Sequence, residues 1–299
     1  MRILVTGATG KIGAPVVHRL LRSGTCEVRI LSRRSPASLD PGVECLLGDL
    51  LQPASLAPAL GGVEVVLHAA ACTHAVRAAR YQRVNVGGTA NLVAAAEAAG
   101  VRRFVFVSTR AVGERGGAYS ASKERAERIV RGSRLSWVIL RPGEVYGGGG
   151  RDPIRDLVDT LRTRRFVLIL GRGAMELSPV FLDDVVEAVA RATLREQGSR
   201  EVFTLAGPES LTQLELVRRI EACLGGPRRL RVHVPVPFAR AAIAVTSRLG
   251  LGSYVPDQVP RLALEKATDV GSAERELGFH PRRLEQGLRM LLGGAEESR

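Results

Sequence analysis

The chain has 299 residues, of which 45% are hydrophobic, and a formal charge of +13. That length supplies one large α/β domain or two smaller ones with a substantial core. No apolar run reaches the roughly 18 residues of a bilayer span, and Gly7 comes too early for the apolar segment of a secretory signal, so an integral membrane span is excluded and a cytosolic protein is expected.

Strands are predicted at Ile3–Thr6, Val28–Leu31, Val63–His68, Phe104–Ser108 and Trp137–Leu140, and helices near Ala14–Arg22, Ala90–Ala99 and Glu124–Val130. Short apolar runs alternating with helical patterns mean βαβ units, hence a doubly wound parallel α/β sheet covered on both faces. The run Gly147-Gly148-Gly149-Gly150 breaks this alternation, and Val180–Ala192 and Glu201–Leu205 read as a return to the sheet. Thr212 and Glu215 are spaced as a capping box ahead of Leu216, Val217, Ile220 and Leu224, which opens a smaller, mainly helical C-terminal lobe. The expected partition is 1–146 with 183–206 for the sheet domain, and 147–182 with 207–299 for a substrate-binding lobe. Within that lobe Val232–Leu251 is apolar but carries Arg240 and Arg248, which leaves a lid, a dimer surface or a membrane-surface contact open.

The positive charge raises the question of nucleic acid. The arginines are scattered, and the densest stretch, Arg228-Arg229-Leu230-Arg231, is short and lacks interleaved aromatics, so it reads as a solvated loop and no nucleic-acid partner is expected. Cys26, Cys45, Cys72 and Cys223 show no CxxC spacing and read as reduced thiols. His68, Cys72 and His74 have no second ligand pair at zinc-site spacing, so no metal is expected.

Directly after the first strand, Thr6-Gly7-Ala8-Thr9-Gly10-Lys11-Ile12-Gly13 places glycines at 7, 10 and 13. A strand-to-helix turn free of side chains lets backbone N–H groups approach a pyrophosphate, which the helix N-terminus stabilises. About twenty residues on, an NAD site places a carboxylate for the ribose hydroxyl, whereas this chain has Ser32, Arg33 and Arg34. A guanidinium suits a 2′-phosphate, so NADP(H) is the preferred cofactor and NAD(H) the alternative, with Arg33 as the reader of the phosphate. Asp49, in Gly48-Asp49-Leu50, is placed to accept from the adenine amino group.

The chain has only three lysines, Lys11, Lys123 and Lys266, and four tyrosines, so Tyr119 and Lys123 fall into a Tyr-x-x-x-Lys spacing with a chance probability of about 0.04. One helical turn apart, the ammonium favours ionisation of the phenol, which suits an acid/base tyrosine. The alternative is a solvent-facing helix whose two side chains merely touch.

Together these pieces resemble the extended branch of the short-chain dehydrogenase/reductase superfamily, the NAD-dependent epimerase/dehydratase family, over nearly the whole length. The matching elements are TGATGKIG at Thr6–Gly13, GDL at Gly48–Leu50, VLHAAA at Val66–Ala71, NVGGT at Asn85–Thr89, VSTRAVG at Val107–Gly113, YSASK at Tyr119–Lys123, RPGEVYG at Arg141–Gly147, FLDDVVEAV at Phe181–Val189 and ELGFHP at Glu276–Pro281. The resemblance implies a Rossmann domain in which Tyr119 exchanges the substrate proton and Lys123 lowers its pKa while binding the nicotinamide ribose. It implies that Thr109 hydrogen-bonds the substrate oxygen, with Ser108 as its understudy. Gly7, Thr9, Gly10, Lys11, Ile12, Gly13, Leu50, Ala69 and Ala70 would then line the dinucleotide, and Pro142, Gly143 and Val145 the nicotinamide.

Departures from the pattern narrow the reaction. Arg110 and Ala111 follow Thr109 where sugar-nucleotide dehydratases carry an Asp-Glu pair, and Leu177-Ser178-Pro179-Val180 lacks the arginine that grips a substrate diphosphate. The resemblance therefore implies an oxidoreductase interconverting a ketone and a secondary alcohol on a small or moderately apolar substrate. An epimerase of a sugar or sugar nucleotide with tightly held NAD and a non-catalytic NADP(H)-binding sensor stay open beside it. A homodimer is compatible with the family.

Overall fold

The computed structural model describes residues 1–148, 152–198, 200–248, 258–263 and 269–293. The first unit in chain order is strand β1 (Arg2–Thr6), helix α1 (Gly13–Arg22), β2 (Glu27–Ser32), β3 (Val43–Leu47), α2 (Leu56–Leu60) and β4 (Val65–His68). There follow α3 (Ala78–Tyr81), a π-helical turn at Gln82–Gly87, α4 (Gly88–Ala98), β5 (Arg103–Val107), α5 (Gly117–Gly132) and β6 (Ser136–Pro142). The chain continues through β7 (Glu144–Tyr146), α6 (Pro153–Thr163), β8 (Phe166–Leu170), β9 (Glu176–Leu177), β10 (Pro179–Phe181), α7 (Leu182–Leu194), β11 (Glu201–Leu205) and β12 (Leu211–Thr212). It ends with α8 (Gln213–Leu224), β13 (Leu230–Val234), α9 (Val236–Arg248), α10 (Gln258–Ala263), α11 (Gly271–Leu277) and α12 (Leu284–Gly293).

Seven strands form one parallel sheet in the order β11-β6-β5-β4-β1-β2-β3. Strand residues alternate between faces, and here both faces are dry. In β1, Ile3 and Val5 join a core with Val16, Leu20, Val185 and Val189 of α1 and α7. Leu4 joins the opposite core with Leu56, Leu92, Val93, Ala126 and Val130 of α2, α4 and α5. A third core gathers Tyr146, Ile154, Val158, Ile169, Phe181, Val217, Ile220 and Leu288 from α6, α8, α12 and the small strands.

The order of winding reverses between the parallel neighbours β1 and β4, from which the crossovers run outward to opposite edges, so a crevice opens at their C-terminal ends. The motifs that follow a strand all lie at this end: Gly7 after β1, Arg33 after β2, Asp49 after β3, Ala69 after β4, Thr109 after β5 and Gly143 after β6.

Several elements differ from the sequence reading. The helix expected at Glu124–Val130 begins at Gly117, which puts Tyr119 in its first turn. Val180–Ala192 is not a strand of the main sheet: Pro179–Phe181 pairs with β7 in a separate two-stranded sheet, and α7 then packs against α1. The arginine-rich stretch is not a solvated loop either. Leu230 opens β13, which pairs in parallel with β8, while Arg231 bonds Glu221 and Arg229 donates to the carbonyl of Leu161. Thr212 caps α8 by accepting from the N–H of Glu215 at 3.1 Å. Gly149, Gly150 and the end of the Val232–Leu251 stretch lie outside the described residues. Among the described residues no helix is long and apolar enough to cross a membrane.

Candidate active site

The glycine turn is shaped by close backbone approach. Gly7 has φ of +74°, and a Cβ there would lie 2.5 Å from the backbone nitrogen of Ala70. A Cβ on Gly13 would run into the carbonyl oxygen of Gly7, so both positions exclude any side chain. The turn is closed by the N–H of Gly10 donating to the Gly7 carbonyl at 2.9 Å, and the N–H of Ala14 donates to Gly10 at 3.0 Å. Helix α1 has no side-chain cap and no acidic residue in its first turn. The N–H groups of Ala14 and Val16 are bonded within the turn and Pro15 has none, which leaves the N–H groups ahead of Ala14 to face an anion, and the cradle fits a dinucleotide pyrophosphate.

Around that cradle, Ala69 and Ala70 form the wall that Gly7 abuts. Arg33 is exposed beyond the end of β2. One carboxylate oxygen of Asp49 accepts from the N–H of Leu51 at 3.0 Å, and the backbone of Asp49 is pinned by Ser55. Leu50 is buried beside Gly88, and the carbonyl of Leu50 accepts from Asn91. Thr9 and Ile12 lie within the turn. The ammonium of Lys11 lies 3.4 Å from Asp152, a fully buried carboxylate that also caps α6 and accepts from the N–H of Gly147. Lys11 thus joins the glycine turn to the start of α6.

At the end of β5 the two neighbouring hydroxyls have separate fates. Ser108 is buried and donates to Glu127 at 2.6 Å, and Glu127 also receives a two-pronged bond from Arg141 at 2.9 and 2.6 Å. Its hydroxyl is committed to the scaffold and is not the understudy of Thr109. Thr109 accepts from the N–H of Ala111 at 3.2 Å, which leaves its own proton for another acceptor.

Tyr119 is 8% exposed and packs edge-on against Tyr81, with ring centroids 5.8 Å apart, in a small cluster with Ala75, Cys72 and Ala118. The guanidinium of Arg261 lies 4.1 Å from the Tyr119 ring centroid and donates to the carbonyl of Thr73. A cation over a phenol face favours the anionic ring. Nothing local in the sequence marks Arg261, because it acts on a loop 188 residues away.

Lys123 is 1% exposed, donates to the carbonyl of Val107 at 2.9 Å and sits 3.9 Å above the ring of Phe106. Burial lowers its pKa to about 7, against the partial compensation of Glu127. Its bonds tie α5 to the end of β5, the segment that leads into Thr109.

Beneath these groups runs a hydrogen-bond chain that the sequence reading missed. Thr89 donates to the carbonyl of Asn85 at 2.6 Å, so it accepts from His68 Nε2 at 3.0 Å, and Nδ1 of the same ring accepts from Thr6 at 2.7 Å. The side chain of Asn85 accepts from the N–H of Cys72 and donates to the Cys72 carbonyl and to Ser122, which donates to the carbonyl of Tyr119. Burial and the charge of Lys123 hold His68 neutral, with a pKa near 3. Both ring nitrogens are spent on hydroxyls. Asn85 stands in the NVGGT motif, and the π-helical turn that aims its side chain is the structural sign of its role.

Of the residues expected on the nicotinamide side, Pro142 accepts from the N–H of Arg110, and Gly143 donates to Leu205 with only 3.0 Å between a Cβ there and the Ser178 carbonyl. Val145 is half-buried in β7. Arg110 is buried, its guanidinium held by Ser178 at 2.8 Å and Glu144 at 2.7 Å.

Residues 7–160 match the family model described as NAD(P)H-binding. The chain is 30% identical to 4-hydroxy-2-methyl-3-oxo-4-farnesyl-3,4-dihydroquinoline-1-oxide ketoreductase of Stigmatella aurantiaca, over 93% of this chain and 92% of the relative. It is 28% identical to 3 beta-hydroxysteroid dehydrogenase/Delta 5-->4-isomerase of Mycobacterium tuberculosis, over 94% of this chain and 86% of the relative. Among solved structures it is similar to the dTDP-glucose 4,6-dehydratase DesIV of Streptomyces venezuelae with NAD bound, at TM-score 0.78 and 27% identity, covering 100% of this chain and 98% of the other. The chain belongs to the extended short-chain dehydrogenase/reductase superfamily. It is an NAD(P)-dependent enzyme of the oxidoreductase/epimerase type.

The buried lysine makes stability depend on pH. In the unfolded chain Lys123 holds its proton up to about 10.5, whereas in the cofactor-free fold it releases it near 7. Between these values the unfolded state binds more protons, so stability rises with pH through that window. Urea denaturation across the window should show that rise in the wild type and a flatter profile in Lys123→Met; the same slope in both would contradict the burial account.

Proposed function

We propose that the protein is an NADP(H)-dependent oxidoreductase that interconverts a ketone and a secondary alcohol on an apolar substrate. The observation that carries this reading is the division of labour at the end of β5: Ser108 is consumed by Glu127, while Thr109 keeps its hydroxyl proton beside the helix that bears Tyr119 and Lys123. The dinucleotide, when bound on the glycine turn, supplies or accepts the hydride. Thr109 donates a hydrogen bond to the substrate oxygen and orients it. Tyr119 delivers the proton to that oxygen in reduction and removes it in oxidation. Lys123 would meet the ribose hydroxyls of a bound dinucleotide and, in its charged form, would stabilise the phenolate that remains.

An apolar substrate is supported by the apolar surroundings of Tyr119, where Tyr81, Ala75 and Cys72 pack, and by the relatives named for a steroid and a farnesylated ring. The region 147–182 with 207–299 is assigned to the substrate, and 1–146 with 183–206 to the dinucleotide. The similarity to structures holding UDP-glucose and NAD favours a second reading, epimerisation with retained NAD. Against a sugar-nucleotide substrate stands Leu177-Ser178-Pro179-Val180, which lacks the arginine that would grip the diphosphate. NAD that copurifies and resists dialysis would decide for the epimerase.

Tyr119→Phe should keep NADPH affinity and lose turnover of an apolar ketone by about 100- to 10,000-fold, followed as NADPH absorbance. Undiminished turnover would refute the assignment.

Preference for NADP(H) rests on Arg33, exposed at the end of β2 with no carboxylate in the ribose position. Charge-assisted bonds of this kind are worth about 1.5–3 kcal/mol, so Arg33→Ala should weaken NADPH binding by about 10- to 100-fold and leave NADH unchanged in fluorescence titration. Equal weakening of both would place the phosphate elsewhere.

A further inference from the structure

Seven of the twelve large apolar side chains exposed among the described residues lie on β8, β13 and α9. Register places Leu230 opposite Phe166 and Val232 opposite Leu168, while Val167 and Ile169 turn inward to the core. Because strand residues alternate, these four share one solvent-facing sheet surface. Leu230 is 69% exposed, which is far from the half-buried state usual for a sheet edge of such composition.

Helix α9 follows β13 after Pro235 alone, with Val236 lying beside Gly171 at the end of β8. Along it Phe238, Ala241, Ala242 and Val245 fall at i, i+3, i+4 and i+7, a single stripe, and all four are exposed. A surface helix ordinarily turns such a stripe inward. Here the apolar stripe is outside, and Phe238 at 71% exposure is its most prominent member.

Charge identifies the occupant. The stretches Arg162–Met175 and Gly225–Arg248 contain four and five arginines and no Asp or Glu. Arg164, Arg165, Arg228 and Arg240 are exposed beside the apolar residues. A second copy seated on this face by a two-fold axis would bring arginine against arginine with no carboxylate from either stretch to offset them. Leucine and valine surfaces offer nothing to a nucleic-acid backbone. Apolar side chains framed by unopposed guanidinium groups match a bilayer whose headgroups carry phosphate.

We propose that β8, β13 and α9 form a docking surface for anionic membranes. The sheet face and the α9 stripe enter the headgroup and upper acyl region, and the arginines meet the lipid phosphates. The surface lies outside the catalytic groups and holds for whichever ketone is reduced.

The test is cosedimentation of the full-length protein with vesicles of phosphatidylcholine alone and of phosphatidylcholine mixed with phosphatidylglycerol. Binding should favour the anionic vesicles by about tenfold or more at low ionic strength and fall as salt is added. The Leu168→Asp/Phe238→Asp variant and the Arg164→Glu/Arg165→Glu variant should each lose binding, with thermal midpoint and NADPH affinity unchanged. Absence of anionic-vesicle binding, equal binding to both vesicles, or binding retained in either variant would overturn the proposal. So would a concentration-dependent dimer in sedimentation velocity that Leu168→Asp/Phe238→Asp dissociates, since that result would assign the face to a second copy.

Discussion

The buried chain of hydrogen bonds from Thr6 to Tyr119 is the constraint on which the site depends. It starts on the residue before the first glycine of the turn, passes through His68 and Thr89, reaches Asn85, and continues through Ser122 to the backbone of Tyr119. Each donor meets an acceptor only if His68 is neutral and protonated on Nε2; burial and the nearby Lys123 enforce the neutral form, and the bond from Thr89 to Asn85 selects the tautomer. A fully satisfied polar network in a dry interior permits one arrangement and penalises its neighbours. The dinucleotide turn and the tyrosine helix, although more than a hundred residues apart in sequence, are thereby held in one register.

Lys123 shows the opposite balance. Its ammonium is buried against a carbonyl and an aromatic face, and it titrates near neutrality in the absence of cofactor. Such a group weakens the fold at neutral pH, and a residue selected for stability alone would be apolar. Arg110 illustrates a buried cation with a different purpose. Its bonds to Ser178 and Glu144 join the end of β5 to β7 and to the residue before β10, so it ties these segments together.

Much of this was legible in the chain because parallel strands buried on both faces read as unbroken apolar runs, and because a turn with no room for side chains must be spelled with glycine. Phe104–Val107 and Trp137–Leu140 are such runs, and Gly7 and Gly13 are such positions. The cradle and the Tyr119–Lys123 spacing were therefore readable, whereas the partners of those residues were not. Ser108 and Thr109 look equivalent until Glu127, on the next helix, claims one of them. Asn85 is a polar residue in a helical run until the π turn aims it inward. The pairing of β13 with β8 joins residues some sixty positions apart, with arginines that suggested solvent. Arg261 reaches Tyr119 from a part of the chain with no local pattern to announce it. These are contacts of tertiary structure, and short-range periodicity carries no record of them.

The most direct measurement of the central claim is the turnover of Asn85→Ala alongside its NADPH affinity. Removing that amide cuts the chain between the π turn and α5 without touching the glycine cradle, so turnover should fall by at least about tenfold while NADPH binds as before. Turnover equal to that of the wild type would mean that Tyr119 is positioned without the network, and the account of the site would fail.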